Sequence, residues 1–203
     1  MPFGFGKPKT IASDDDARSS FFVGMMPALS GKSQIQPAIA KYVPDPAAKD
    51  PANTKPILCL DADALAQSLI AADPTLSALD TAANAAVLEA MMCKKLHDTL
   101  FGLIQTRPDV TVLCLTSNIT FVNYLQMKPK RTFVYIPCSD LCNKMYQDFL
   151  ASGNKDSAST LLTSKEQIMA WATQQGINPV VYAVLDDIIA DLAAKLSLVL
   201  GAY

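Results

Sequence analysis

A run of four apolar residues, Ile57-Leu-Cys-Leu60, stops at two acids one residue apart, Asp61 and Asp63. An apolar run that ends abruptly on carboxylates is the pattern of a strand buried on both faces of a parallel sheet, with charge delivered at its C-terminal edge. In open α/β sheets, ligands bind outside those strand ends. This stretch therefore constrains both the fold and the place where a site would lie.

The design recurs downstream. Val110 to Leu115 ends on Thr116-Ser117-Asn118, Thr132 to Ile136 halts at Pro137, and Pro179 to Leu185 ends on Asp186-Asp187. Helical spacing fills the intervals: Ala64 to Ala72, Leu79 to Gln105, Ile119 to Gln126, and Leu141 to Ala151, which Ser139 can cap. Residues 154–160 read as a polar loop, Ser164 and Gln167 as a capping box opening a helix that Trp171 anchors to the body, and Ile188 to Leu200 as a last helix. Strands alternating with helices predict an α/β fold over residues 56–203, a Rossmann-like three-layer sandwich with a mostly parallel sheet.

Residues 1–55 read differently. Eight of the 13 prolines lie in the first 56 residues, beside an acidic run at Asp14, Asp15 and Asp16. That composition predicts an extended N-terminal arm, interrupted by two apolar clusters, Phe21-Phe-Val23 and Met25-Met26. Such an arm needs a partner to order it, either its own domain or a neighbouring subunit. Gly31-Lys32-Ser33 follows the apolar clusters as the end of a phosphate loop would. Met26 occupies the position of that motif's first glycine, and Gly24 comes two residues too early. Pro37 disfavours the helix whose N-terminus would face a phosphate, so the segment reads as a plain loop.

Half of the 203 residues are hydrophobic, enough for a sizeable core, and the formal charge is −2. That balance gives no drive toward nucleic acid or anionic lipid, and the one dense basic cluster, Lys128, Lys130 and Arg131, reads as a solvated loop. No apolar run is long enough to span a bilayer, and residues 1–12 lack the core of a secretory signal. Five cysteines without a disulfide pattern point to an intracellular, reducing compartment, cytoplasmic or within an assembly.

Four carboxylates brought to one sheet edge would repel unless a cation lay between them. Magnesium suits such an all-oxygen site, Asp61, Asp63, Asp186 and Asp187 being its candidate ligands. An aspartate can attack phosphorus, and a lysine such as Lys165 can neutralise the transferred group. At strand-to-helix junctions the same acids also serve as plain helix caps.

In the order and spacing of these groups, residues 56–203 resemble the haloacid-dehalogenase-like phosphohydrolase superfamily. The matching motifs are Ile57-Leu-Cys-Leu-Asp61-Ala-Asp63-Ala-Leu65, Leu113-Cys-Leu-Thr116-Ser117-Asn118, Lys165, and Val184-Leu-Asp186-Asp187. The resemblance implies a magnesium-dependent phosphohydrolase acting through an aspartyl-phosphate on a phosphorylated small molecule. Asp61 would be the nucleophile, Asp63 the general acid/base, Thr116 the phosphoryl-oxygen donor and Lys165 the cation. Ala64 and Leu65 depart from the family's usual residues. The alternative is thus a non-catalytic structural subunit on the same scaffold, docked into a virion or organellar complex, or a homo-oligomer, through residues 1–55.

A second resemblance runs from Gln175 to Ala193, where Asp186-Asp187 start a helix as in flap-endonuclease-like 5′ nucleases. It implies a nuclease-like domain, for which the further acids of that family have no counterpart after the second strand.

Overall fold

The computed structural model describes residues 20–49 and 51–201. Five strands form one parallel sheet: β1 (Phe21–Met25), β3 (Ile57–Asp61), β4 (Thr111–Thr116), β5 (Thr132–Pro137) and β6 (Val180–Tyr182). Their order across the sheet is β3-β4-β1-β5-β6. A short strand, β2 (Tyr42–Pro44), pairs antiparallel with β7 (Leu198–Leu200) as a separate ribbon.

The register aligns the C-terminal ends of β3, β4 and β1, Met25 pairing with Thr116 and Asp61 with Leu115. β5 and β6 run on past β1, since Met25 pairs with Val134 and Pro137 with Tyr182. The chain leaves the central strand β1 for one edge at β3, returns to β4, then crosses β1 to β5 and β6. The loops after β1 and β4 flank the point where the direction of winding reverses, which is where open sheets hold ligands.

Alternation along the strands builds two cores. Phe21, Val23, Met25, Val112, Cys114, Val134 and Ile136 face one side. They meet α2 (Ala62–Ala72), α3 (Pro74–Leu79), α4 (Ala85–Thr106), α5 (Ile119–Leu125) and α7 (Lys155–Gln174). Phe22, Leu113, Leu115, Phe133 and Tyr135 face the other, under α1 (Lys32–Ile39) and α8 (Leu185–Lys195). The remaining helix, α6 (Ser139–Ala151), packs along α7. This is a Rossmann-like α/β fold in three layers, as the alternation of strands and helices predicts.

The expected division at residues 55 and 56 does not describe residues 20–55. Phe21–Met25, read as clusters in an arm, is the buried central strand of the sheet, so the α/β body begins by Ser20. Proline and glycine content averaged over 55 residues hides a five-residue strand. Gly24 lies inside that strand because a Cβ there would come 2.7 Å from Leu115 Cδ2. The acidic run Asp14–Asp16 and the rest of residues 1–19 lie outside the described residues.

Four other boundaries shift for identifiable reasons. Residues 32–39 form a helix despite Pro37, which removes one helical hydrogen bond and costs about 3 kcal/mol. Burial of Ile35 and Ile39, each worth about 1.5–3 kcal/mol, offsets that cost. The polar stretch after Gly153 is the start of α7, where Asn154 Oδ1 accepts from Ser157 N. Ser164 and Gln167 therefore lie inside a helix rather than at its start. The long helix expected from Leu79 starts only at Ala85, after a tight turn at Ala82–Asn84, and Leu79 instead ends α3. The final helix ends at Lys195, and Ser197, at φ +51°, turns the chain into β7.

All five cysteines are free. Among the described residues no helix is long and apolar enough to cross a membrane. Trp171 is buried in the core, as expected, and its Nε1 donates to Asn123 Oδ1 at 2.8 Å.

Candidate functional site

Asp61 ends β3 and caps α2, its Oδ1 accepting from Asp63 N at 3.0 Å and Ala64 N at 3.2 Å. That cap sends Asp63, in the first turn of α2, over the end of β4. There Thr116 Oγ1 donates to Asp63 Oδ1 at 2.7 Å, and Ser117 donates its N–H at 3.0 Å and its Oγ–H at 2.7 Å to Oδ2. The expected trio of Asp61, Asp63 and Thr116 is therefore one cluster. Thr116 is fully buried and works as a positioning group for Asp63 and, through Oγ1, for Asn118 N.

The cation of this cluster is Lys32, whose Nζ lies 3.0 Å from Asp63 Oδ2. Lys32 is the first residue of α1, directly after the loop that leaves β1. Burial by itself would raise the Asp63 carboxyl, but the Lys32 ammonium and the hydroxyl bonds of Ser117 and Thr116 hold it below the usual carboxylate range. Lys32 is only 7% exposed, and its Nζ also donates to Pro27 O at 3.4 Å.

The loop from Met26 to Gly31 is held from several sides. Ala28 N donates to Ser164 Oγ of α7 at 2.9 Å. Tyr182 Oη, at the end of β6, donates to Ser30 O at 3.2 Å, and Ser30 Oγ donates to Pro27 O at 2.6 Å. Leu29 and Gly31 both have positive φ, +62° and +97°. Between them, Ser30 N donates to Pro27 O at 3.3 Å, so the two left-handed positions turn the loop into α1. Gly31 caps α1 without any side-chain bond; Gln34 N in the first turn donates back to Gly31 O at 3.0 Å, so the Lys32 and Ser33 amides are the ones left to an outside partner. Lys32 and Ser33 thus open a helix that follows the loop from the central strand, where the sequence reads a plain loop.

A cavity of about 650 Å³ opens on this edge. Its walls include Lys32 and Ser33 of α1, Asp61, Asp63, Ser117 and Phe149 of α6. Lys165, Asp186 and Asp187 are not among its lining residues. Lys165 lies on α7 beside Ser164, the residue that reaches the loop. Asp187 is exposed at the start of α8, its Oδ2 accepting from Ala183 N at 2.8 Å and Val184 N at 3.1 Å. Those backbone bonds hold its carboxyl below the ordinary value.

The four-carboxylate magnesium cage expected from the sequence does not form. Among the described residues no three His, Cys, Asp or Glu side chains gather as a metal-ligating group. Asp63 already accepts from Thr116, Ser117 and Lys32, and β5 and β1 separate the end of β6 from that of β4. Sequence reasoning had the signal for the missed residues in hand, since an apolar run followed by Gly-Lys-Ser is what marks Lys32 and Ser33. The Ser164 and Tyr182 contacts leave no local trace. Compared with known proteins, the chain matches no family model and no curated protein.

Proposed function

We propose that this domain binds the phosphate chain of a nucleotide on the loop and helix start at residues 26–33, and transfers a phosphoryl group to an acceptor held over Asp61 and Asp63. The observation that carries this reading is Lys32, standing at the N-terminus of the helix after the central strand and paired with Asp63 at 3.0 Å. A lysine in that place reaches β- and γ-phosphates, and the helix amides face the same anion. A cavity within the usual size of ligand sites supports it.

The sequence departs from the phosphate-loop pattern at Met26. That residue is fully buried at the base of the loop, and Leu29 and Gly31 supply the two left-handed positions. Magnesium would arrive with the nucleotide, and the oxygens at hand are the Ser33 hydroxyl and the Asp61 carboxylate. It would neutralise charge on the transferring phosphoryl group. Asp63, held ionised by Lys32, would accept the proton of an attacking hydroxyl once the lysine turns to phosphate.

The aspartyl-phosphate route is less well supported. The lysine on the acid pair is Lys32, and Asp61 spends one carboxylate oxygen on capping α2.

Calorimetric titration of the protein with ATP and magnesium tests the reading, beside Lys32→Met. Saturable binding by the wild type, lost in the variant while the protein stays folded by circular dichroism, is the expected result. Equal binding by both proteins, or binding by neither, sinks it.

A further inference from the structure

The cavity of about 650 Å³ at the Lys32 edge has walls that phosphate binding does not use. Gln67 comes one turn after Asp63 on α2, a spacing that places both on one face of the helix, and both line the cavity. Asn118 follows Ser117 just beyond β4. Its Oδ1 accepts from Phe121 N at 2.8 Å, which fixes the carboxamide where it lines the same cavity. Two carboxamides therefore stand beside the acid pair, one on each of the two elements that carry the Asp63 cluster.

The apolar part comes from elsewhere in the fold. Phe149 lies in the last turn of α6, which follows β5 on the far side of β1 from β4. Its carbonyl accepts from Asn154 N and from Ser152 Oγ, both at 2.9 Å, so that turn is locked where the half-buried ring lines the cavity. Leu29, 46% exposed, adds a second apolar surface to the same cavity. Groups fixed before a ligand arrives lower the ordering cost of binding it.

The combination has a chemical match. A carboxamide offers a donor and an acceptor side by side, which suits two neighbouring hydroxyl groups. The negative face of a phenyl ring attracts the weakly positive C–H groups on one side of a sugar-like ring.

We propose that the acceptor held over Asp61 and Asp63 is an uncharged polyhydroxylated ring, of monosaccharide or cyclitol size, selected by Gln67, Asn118 and Phe149. This rests on the nucleotide reading of Lys32. In the step, one ring hydroxyl oxygen forms a bond to the γ-phosphorus of ATP while the bond from that phosphorus to the β–γ bridging oxygen breaks. The hydroxyl proton passes to the Asp63 carboxylate, and ADP and a phosphate monoester of the polyol leave.

The test is ADP release by the full-length protein at saturating ATP and magnesium, with D-glucose, D-ribose, myo-inositol, serine or glycerate offered as acceptor. A ring polyol is expected to speed release about tenfold or more over water alone, with a new monoester in the ³¹P spectrum. Gln67→Leu, at an exposed position, is expected to raise KM for that polyol about fivefold to tenfold while KM for ATP changes by less than about twofold. Phe149→Ala is expected to shift the same constant in the same direction. If ATP binds in the calorimetric titration but no ring polyol speeds ADP release, or serine or glycerate does so better, the acceptor class is overturned and the nucleotide reading stands. If ATP does not bind, both fall. An unchanged polyol KM in both variants overturns the roles given to Gln67 and Phe149.

Discussion

Lys32 Nζ and Asp63 Oδ2 meet 3.0 Å apart across the end of β4, one carried by the helix after the central strand and the other by the helix after the edge strand. The pair ties together three neighbouring strand ends, because Thr116 and Ser117 of the strand between them donate to the same carboxylate. Removing one partner of a largely buried pair leaves the other charge uncompensated. Asp63 keeps 28% of its side chain exposed, so the cost is discounted to about 2 kcal/mol. Lys32→Met is expected to lower the urea midpoint accordingly, and Lys32→Met with Asp63→Asn to recover part of the loss. A double-mutant cycle with no coupling would show that the ion pair does not hold the edge together.

Acid should act on this carboxylate in a definite direction. The Asp63 value in the folded protein lies below the ordinary one, which is about 3.9 in an unfolded chain. The unfolded state therefore takes up the proton first. The stability that Asp63 contributes is fully present above about pH 4 and is lost as pH falls through the lower folded value. Melting temperatures measured from neutral pH down into that acid range should fall more steeply for the wild type than for Asp63→Asn. Parallel curves would mean that Asp63 is no better stabilised as an anion in the fold than in the open chain.

What could be read from the sequence followed from how local the determining forces are. Ile57–Asp61, Thr111–Thr116 and Thr132–Pro137 were legible because apolar runs that end in small or acidic residues are self-announcing. Asp61, Asp63 and Thr116 were legible as neighbours because parallel strands place their ends together. The central strand was not, since Phe21–Met25 is short and sits in a proline- and glycine-rich neighbourhood. Lys32 is obscured in the sequence because Met26 stands where the phosphate-loop motif has its first glycine and Pro37 argues locally against a helix, while the burial of Ile35 and Ile39 that overrides the proline is a tertiary fact. The separation of Asp186 and Asp187 from the other acids depends on strand order, which places β5 and β1 between β6 and β4 and which spacing does not encode.

Gly31 is the loop position where a side chain is least tolerable. Its φ of +97° is a conformation that L residues rarely adopt, and an added Cβ would lie 3.2 Å from Leu185 Cδ2. Gly31→Ala is expected to cost about 1–2 kcal/mol in urea unfolding through the backbone. It should also weaken ATP binding by displacing the first-turn amides of α1. Leu185→Ala in the same chain relieves only the contact, so it should restore less than half of the lost stability. Full restoration would locate the strain in the Leu185 contact and not in the backbone angle.

Ser164 joins a helix remote in sequence to the loop, its Oγ accepting from Ala28 N at 2.9 Å. Ser164→Ala leaves that part-buried amide without its acceptor, at a cost of about 1–3 kcal/mol. The helix itself should be unharmed, because alanine is the better helix former. Amide exchange at Ala28 is therefore expected to speed up while the α7 amides beyond it keep their protection. A loop held less firmly binds less well, since more of its ordering must occur with the ligand. The dissociation constant for ATP should rise about threefold to tenfold in Ser164→Ala. Tyr182→Phe, which deletes the donor to Ser30 O from the other side of the loop, should act in the same direction. If both variants bind ATP as the wild type does, the loop's shape is set by its own backbone and not by the helix and the strand that brace it.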